Sequence, residues 1–99
     1  MSVMTENEIL SYLRKFREKN SRKYHIVKLG VFGSFSRGEG GENSDIDIAV
    51  ELEKPKMFDL VGIKQEIEDA LARPVDIVRI RDNMNNFLRN RIEREVIFV

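Results

Sequence analysis

Apolar residues recur at helical spacing near the beginning of the chain and share one face of a predicted helix. They are Ile9, Leu10, Leu13 and Phe16. Thr5, followed by Glu8 three positions later, forms the capping-box pattern that is typical of a helix start. The pattern predicts a helix over about residues 6–19, and the polar run at 20–23 is expected to be a connector.

Two strands are predicted next, because both stretches are rich in β-branched and aromatic residues. The first covers about residues 24–32 and the second about residues 45–52. In the second, apolar and polar residues alternate, so that Asp45 and Asp47 fall on the same face. The rise of a strand places these two carboxylates roughly 6–7 Å apart along the chain.

The second half of the chain continues with helices and strands in turn. Leucine and isoleucine at spacings of three and four predict a helix over about 57–72, and a β-branched run predicts a strand over 75–80. A last helix is expected to start with Asp82 as its N-cap and to end near Glu95. Residues 96–99 are then expected to close the sheet as a short edge strand.

Length and charge restrict the class of protein. The chain has 99 residues, which favours one domain over residues 1–99, and its 17 basic and 17 acidic side chains leave no net charge. Direct nucleic-acid binding is therefore not expected, since it normally needs a basic surface. The chain has no cysteine and no apolar run that would span a bilayer. We expect a soluble cytoplasmic protein without a membrane partner.

The turn after the first predicted strand has the composition of a phosphate-binding loop. Gly33 lets the backbone approach a ligand closely, and Ser34 offers a hydroxyl and a backbone N–H. If a short helix begins at Phe35, its N-terminus adds further donors for an anion. Arg37 is then placed to make charge-assisted hydrogen bonds to the outer phosphates.

Three aspartates supply the candidate metal site. Asp45 and Asp47 share a strand face, and Asp76 lies in an apolar run, where it is expected to be buried and to need a compensating charge. Such carboxylates repel one another unless divalent cations neutralise them, and hard oxygen ligands suit Mg²⁺. Two Mg²⁺ ions on one phosphate can activate an attacking hydroxyl and stabilise a leaving pyrophosphate. We assign Asp76 as the carboxylate that accepts the hydroxyl proton.

The same residues resemble the signature of the polymerase-beta-like nucleotidyltransferase superfamily. They are Gly33-Ser34, Arg37-Gly38, Ser44-Asp45-Ile46-Asp47, and Asp76 in Val75-Asp76-Ile77-Val78. The short chain is similar to the minimal nucleotidyltransferases, which are often the antitoxin half of two-protein toxin–antitoxin modules. The resemblance covers nearly the whole chain, from about Tyr24 to Phe98.

The resemblance implies a fold, a site and a reaction. The fold is α+β, with a mixed sheet flanked by helices and a catalytic core over about residues 24–98. Mg²⁺, most simply two ions, is held by Asp45, Asp47 and Asp76. The phosphates of ATP lie on Gly33, Ser34, Arg37 and Ser44. The implied reaction transfers AMP from ATP to a tyrosine of a partner toxin, an RNase with a HEPN domain, and so silences it.

Two other functions remain open at this point. A binding module that neutralises its partner by occlusion is suggested by Met57, Phe58 and Phe98, which have no obvious place in the core. The other is adenylylation of a small molecule, as in antibiotic modification. So short a chain has little room for a small-molecule pocket, although a homo-oligomer can supply one.

Overall fold

The computed structural model describes residues 5–39, 45–54 and 56–99, a part of the chain that contains three helices and four strands. In chain order they are α1 (Glu6–Tyr24), β1 (Ile26–Phe32), β2 (Ile46–Leu52), α2 (Met57–Leu71), β3 (Val75–Arg79), α3 (Asn86–Glu95) and β4 (Ile97–Phe98). The predicted order of helices and strands is confirmed. Within the same described ranges, no helix is both long enough and apolar enough to cross a membrane.

The four strands form a mixed sheet in the order β3-β2-β1-β4. β1 pairs antiparallel with β2 and with β4, whereas β2 and β3 run parallel. The parallel pair is possible because α2 carries the chain from the end of β2 back to the start of β3. The predicted mixed sheet flanked by helices is thus confirmed, and β3 and β4 form its edges.

α1 continues beyond the end predicted for it at residue 19. The expected connector at 20–23 is helical, and Tyr24 ends α1 instead of starting β1. Asn20 is buried, and its side-chain amide donates to the Phe16 carbonyl at 3.1 Å, so that its polar group is satisfied within the helix. His25 caps the C-terminus of the helix, because its φ of 55° is left-handed and its N–H donates to the Ser21 carbonyl.

The sheet separates two apolar layers. α1 and α2 cover one face, and the core there includes the fully buried residues Ile9, Leu13, Leu29, Ile48 and Ile63. α3 covers the other face over a smaller cluster formed by Phe32, Ala49, Met84 and Ile92. Because side chains alternate along β2, Asp47 lies on the face that α3 covers, as Ala49 does.

Gly62 allows α1 and α2 to approach each other closely. A Cβ at Gly62 would lie 3.0 Å from the hydroxyl oxygen of Tyr24 and 3.2 Å from its ring. Tyr24 is buried, and its hydroxyl donates to Glu66 Oε1 at 3.1 Å. A glycine that lowers helix propensity therefore makes room for an aromatic side chain that joins the two helices.

α3 begins later than predicted. Asn85, and not Asp82, is its N-cap, because the Asn85 side-chain oxygen accepts a hydrogen bond from the Leu88 N–H at 3.2 Å. Met84 precedes the helix but is buried in the cluster beneath it. The preceding segment is held by Arg89, whose guanidinium donates to two of its backbone carbonyls. The N-cap of α3 therefore lies three residues later than the sequence predicted.

Asn85→Ala is expected to lower the free energy of unfolding by about 1 kcal/mol, because α3 loses the side chain that caps it. Asp82→Ala, at the position that the sequence suggested, is the matched control and should change this energy by less than about 0.5 kcal/mol. Urea denaturation followed by far-UV circular dichroism measures both. A larger loss for Asp82→Ala than for Asn85→Ala would contradict the N-cap.

Candidate active site

The turn that follows β1 is closed by its own backbone. The Arg37 N–H donates to the Gly33 carbonyl at 3.2 Å, and Ser36 Oγ donates to the same carbonyl at 2.8 Å. Phe35 is buried in the core and anchors the turn. Residues 33–38 form a turn, so the helix considered for Phe35 is not present.

The turn presents backbone donors. Within the ranges that the structure describes, no backbone carbonyl accepts from the N–H groups of Ser34, Phe35 or Ser36. Successive N–H groups without an internal acceptor are groups that an anion can satisfy. The turn can therefore bind phosphate without the additional helix.

Gly33 lies directly beneath the carboxylate of Asp47. A Cβ at Gly33 would lie 2.1 Å from Asp47 Oδ2 and 3.4 Å from Arg91 Nη2. The φ of Gly33, 78°, is also in the left-handed region that side chains avoid. Steric space and backbone conformation thus both require glycine where the turn meets the acid.

Asp47 and Asp76 occupy paired positions on the parallel strands β2 and β3. Neighbouring strands lie about 4.8 Å apart, so the two carboxylates start from the same face and the same level of the sheet. Burial raises the pKa of Asp47, and the negative charges of Asp76 and Asp45 raise it further, although Arg91 opposes the rise. The structure thus brings Asp47 and Asp76 together on neighbouring strands, while a site formed by all three aspartates stays a prediction.

Asp76 is exposed, so the expectation of a buried Asp76 is wrong. The reason is the strand order, because β3 lies at the edge of the sheet and water reaches its side chains from the open side. Asp47 is the more buried of the two aspartates, since it lies one strand further into the sheet and its side chain is only 21% exposed. Burial therefore raises the pKa of Asp47.

The donor chemistry of this corner of the sheet fits a hard divalent cation. Asp45, Asp47 and Asp76 are carboxylates, and a cation among them would relieve the repulsion that raises the pKa of Asp47. In the described part of the chain, however, no three His, Cys, Asp or Glu side chains lie close enough together to coordinate one ion. Coordination of Mg²⁺ by the three aspartates therefore stays a prediction. Ser44, expected at the phosphates, lies outside the described residues.

Two residues of α3 reach the site and were not recognised in the sequence. Arg91 Nη2 lies 4.0 Å from Asp47 Oδ2, and Arg91 Nε donates to Glu95 Oε2 at 3.0 Å. Burial by itself would raise the pKa of Glu95, but hydrogen bonds from Arg37 and Arg91 outweigh burial and lower that pKa. The spacing of Arg91 and Glu95, four residues on one helix, is the signal that identifies such a pair in a sequence.

Arg37, predicted to reach the phosphates, is held by two acids in the structure. Its Nε donates to Glu39 Oε2 at 3.1 Å, and its Nη1 donates to Glu95 Oε1. The side chain remains 41% exposed. Arg37 is therefore close to the turn and accessible to an anion.

Comparison with known proteins identifies the family of proteins to which the chain belongs. The family model of the nucleotidyltransferase domain matches residues 13–99. The chain belongs to this family and is a nucleotidyltransferase, as the sequence motifs predicted.

Two protein adenylyltransferases are among the relatives of the chain. The chain is similar to the protein adenylyltransferase MntA of Thermococcus cleftensis, with 31% identity over 100% of both chains. It is also similar to the protein adenylyltransferase MntA of Shewanella oneidensis, with 36% identity over 82% of this chain and 55% of that protein.

Solved structures confirm the fold. One structure, provisionally described as a minimal nucleotidyltransferase, is 35% identical, has a TM-score of 0.74 and is matched over 98% of both chains. A toxin–antitoxin crystal structure with AMP-PNP is 26% identical and has a TM-score of 0.70, over 96% of this chain and 72% of that one. The predicted fold class is therefore confirmed.

Gly33→Ala is expected to abolish nucleotidyl transfer, because the new methyl group occupies the space of the Asp47 carboxylate. Gly38→Ala is the matched control, since Gly38 has a similar φ of 74° but nothing within 4 Å of its Cβ position. A left-handed alanine destabilises each variant by roughly 1–2 kcal/mol. Only Gly33→Ala should lose activity, and an equal loss in both variants would show that backbone strain, and not the displaced carboxylate, is responsible.

Asp47→Asn is expected to raise the melting temperature of the Mg²⁺-free protein at neutral pH by a few degrees. The variant removes a carboxylate that is harder to ionise in the folded protein than in the unfolded chain. A raised pKa in the folded state means that ionised Asp47 costs stability above that pKa. The advantage of the variant should therefore shrink as the pH falls toward the ordinary value of 3.8. Asp82→Asn, an exposed control, should show neither effect in calorimetry.

Proposed function

We propose that the chain is a protein adenylyltransferase that uses Mg²⁺ to transfer AMP from ATP to a tyrosine hydroxyl of a partner protein. The observation that carries the proposal is the pairing of Asp47 with Asp76 on parallel strands, with the Gly33 turn against one of them. Carboxylates beside backbone donors suit a nucleotide whose phosphates carry a divalent cation.

Two relatives support this choice of reaction. The Thermococcus cleftensis protein is named a protein adenylyltransferase, and the similarity covers both chains completely. The toxin–antitoxin structure with AMP-PNP, an ATP analogue, supports ATP as the substrate and a toxin as the partner. The family resemblance of the sequence motifs implies a toxin with a HEPN domain, and we propose such a toxin as the acceptor. Such a pair would work in the cytoplasm, where ATP is available and a chain without cysteine needs no disulfide.

The residues of the site divide into two groups. Asp45, Asp47 and Asp76 would hold Mg²⁺, which when bound stabilises the negative charge that develops on the phosphate oxygens. The phosphates would be bound by the backbone N–H groups of the turn and by the side chains around it. These phosphate-binding residues are Gly33, Ser34, Arg37 and Ser44.

The proposed reaction is an in-line displacement at the α-phosphorus of ATP. The tyrosine oxygen forms a bond to this phosphorus while the bond to the pyrophosphate oxygen breaks, and pyrophosphate leaves with the electron pair. The hydroxyl proton passes to a carboxylate. Asp76 suits this role because it is exposed at the sheet edge, where a partner protein can reach it.

Incubation with labelled ATP, Mg²⁺ and a purified HEPN-type toxin is expected to label the toxin, with a mass increase of one or more AMP units. Asp47→Asn should reduce labelling at least about 100-fold, because a ligand of the cation is lost. Asp82→Asn should label as the wild type does. Undiminished labelling by Asp47→Asn would refute the assigned mechanism.

Neutralisation by binding alone is a second candidate function, because α2 carries an exposed apolar patch. This patch consists of Met57, Phe58 and Val61, which are 79%, 90% and 58% exposed. Apolar surface at this density on one helix face is typical of a protein contact. Phe98, on β4, is a separate apolar residue that is 44% exposed.

The double variant Asp45→Asn, Asp47→Asn separates the two functions. Under the adenylyltransferase proposal, the variant still forms the complex but no longer protects cells that express the toxin. Full protection by this variant, together with loss of protection in Phe58→Ser, would favour occlusion. Co-purification and growth of toxin-expressing cells measure the two properties.

A further inference from the structure

A line of alternating charges borders the turn proposed to bind phosphate. Asp47 lies 4.0 Å from Arg91, Arg91 donates to Glu95 at 3.0 Å, and Arg37 bridges Glu95 and Glu39, the latter at 3.1 Å. The Glu95 side chain is the least exposed of the five, at 14%, while Arg37 and Arg91 are 41% and 38% exposed. The half-buried acid thus lies between two more accessible arginines.

Each oxygen of Glu95 accepts from a different arginine. Oε1 accepts from Arg37, which belongs to the turn, and Oε2 accepts from Arg91, which lies beside Gly33 and over the ring of Phe32 at 5.5 Å. A guanidinium has five N–H donors, so both arginines keep donors that Glu95 does not use. The Glu95 carboxylate therefore holds two guanidinium groups beside the same turn.

The charge of Glu95 is unfavourable for phosphate binding by itself. A carboxylate near a triphosphate repels it, and removing that charge should strengthen binding if charge were its only effect. Ordering two long side chains in advance has the opposite effect, because the ligand then does not pay for ordering them. The two effects predict opposite signs for the same substitution.

We propose that Glu95 is a positioning residue, which holds Arg37 and Arg91 so that their remaining donors meet the phosphates of the nucleotide. The role rests on the proposed function, since it presupposes a triphosphate at the turn. Arg91 is thereby added to the phosphate-binding residues. Glu95 touches no substrate and acts through the two arginines.

Calorimetric titration with a nonhydrolysable ATP analogue and Mg²⁺ tests whether Glu95 strengthens or weakens nucleotide binding. Glu95→Gln is expected to bind about tenfold more weakly, the usual effect of losing a charge-assisted contact. Glu95→Asp, which keeps the charge but is too short to reach both arginines, should also bind more weakly. Glu93→Gln, an exposed acid on the same helix, should bind as the wild type does. Equal or tighter binding by Glu95→Gln would overturn the proposal.

A double-mutant cycle tests whether Glu95 acts through Arg37. If it does, Arg37→Gln should weaken binding less in the Glu95→Gln background than in the wild type, because the arginine is already misplaced there. If the fold-losses of affinity in the two single variants simply multiply in the double variant, the proposal is overturned. Melting temperatures of all variants confirm that each compared protein is folded.

Two further measurements separate this proposal from the proposed function. In nucleotide-free protein, NMR should show faster solvent exchange of the Arg91 Nε–H in Glu95→Gln, and unchanged exchange would contradict the bridge. Inorganic tripolyphosphate with Mg²⁺ is the second probe. If the wild-type protein binds tripolyphosphate but not the ATP analogue, ATP is refuted as the substrate, and the effect of Glu95 can still be tested with tripolyphosphate. Wild-type binding of neither would refute both proposals.

Discussion

The contact between the Asp47 carboxylate and the backbone of Gly33 is the constraint on which the site depends. It exists because Phe32 pairs with Asp47 in the β1–β2 register, so that the turn after β1 begins beside the aspartate. A shift of one residue would move Asp47 to the opposite face of the sheet. The buried Val31 and Ile48, paired in the same register, oppose such a shift because it would carry them out of the core.

The features that sequence alone predicted are those with a local cause. Alternation along β2 placed Asp47 on the face opposite the core residues Ile46 and Ile48, and the glycine-serine motif marked the turn, because both patterns extend over a few neighbouring residues. The exposure of Asp76 was not predictable, since it depends on the strand order, which leaves β3 at an edge. The extension of α1 depended equally on packing, because Tyr24 is helical where it meets Gly62.

Two carboxylates of one site show opposite behaviour, and their neighbours explain it. Burial and repulsion from Asp76 dominate at Asp47, which has one arginine at 4.0 Å, so its pKa rises. Glu95 is also shielded from water but accepts hydrogen bonds from two arginines, so its pKa falls. Hydrogen bonds from two arginines at Glu95, against a single arginine at 4.0 Å from Asp47, therefore account for the opposite directions of the two pKa shifts.

The position of β3 at the rim of the sheet also determines how the acidic corner is reached. No strand in the described part of the chain covers the outer side of β3, and Asp76 faces solvent there. A large molecule can come alongside this rim, because Asp76 is exposed at the edge strand. Substitutions along the rim can accordingly alter which molecules are admitted, while the enclosed half of the site around Asp47 and Gly33 stays intact.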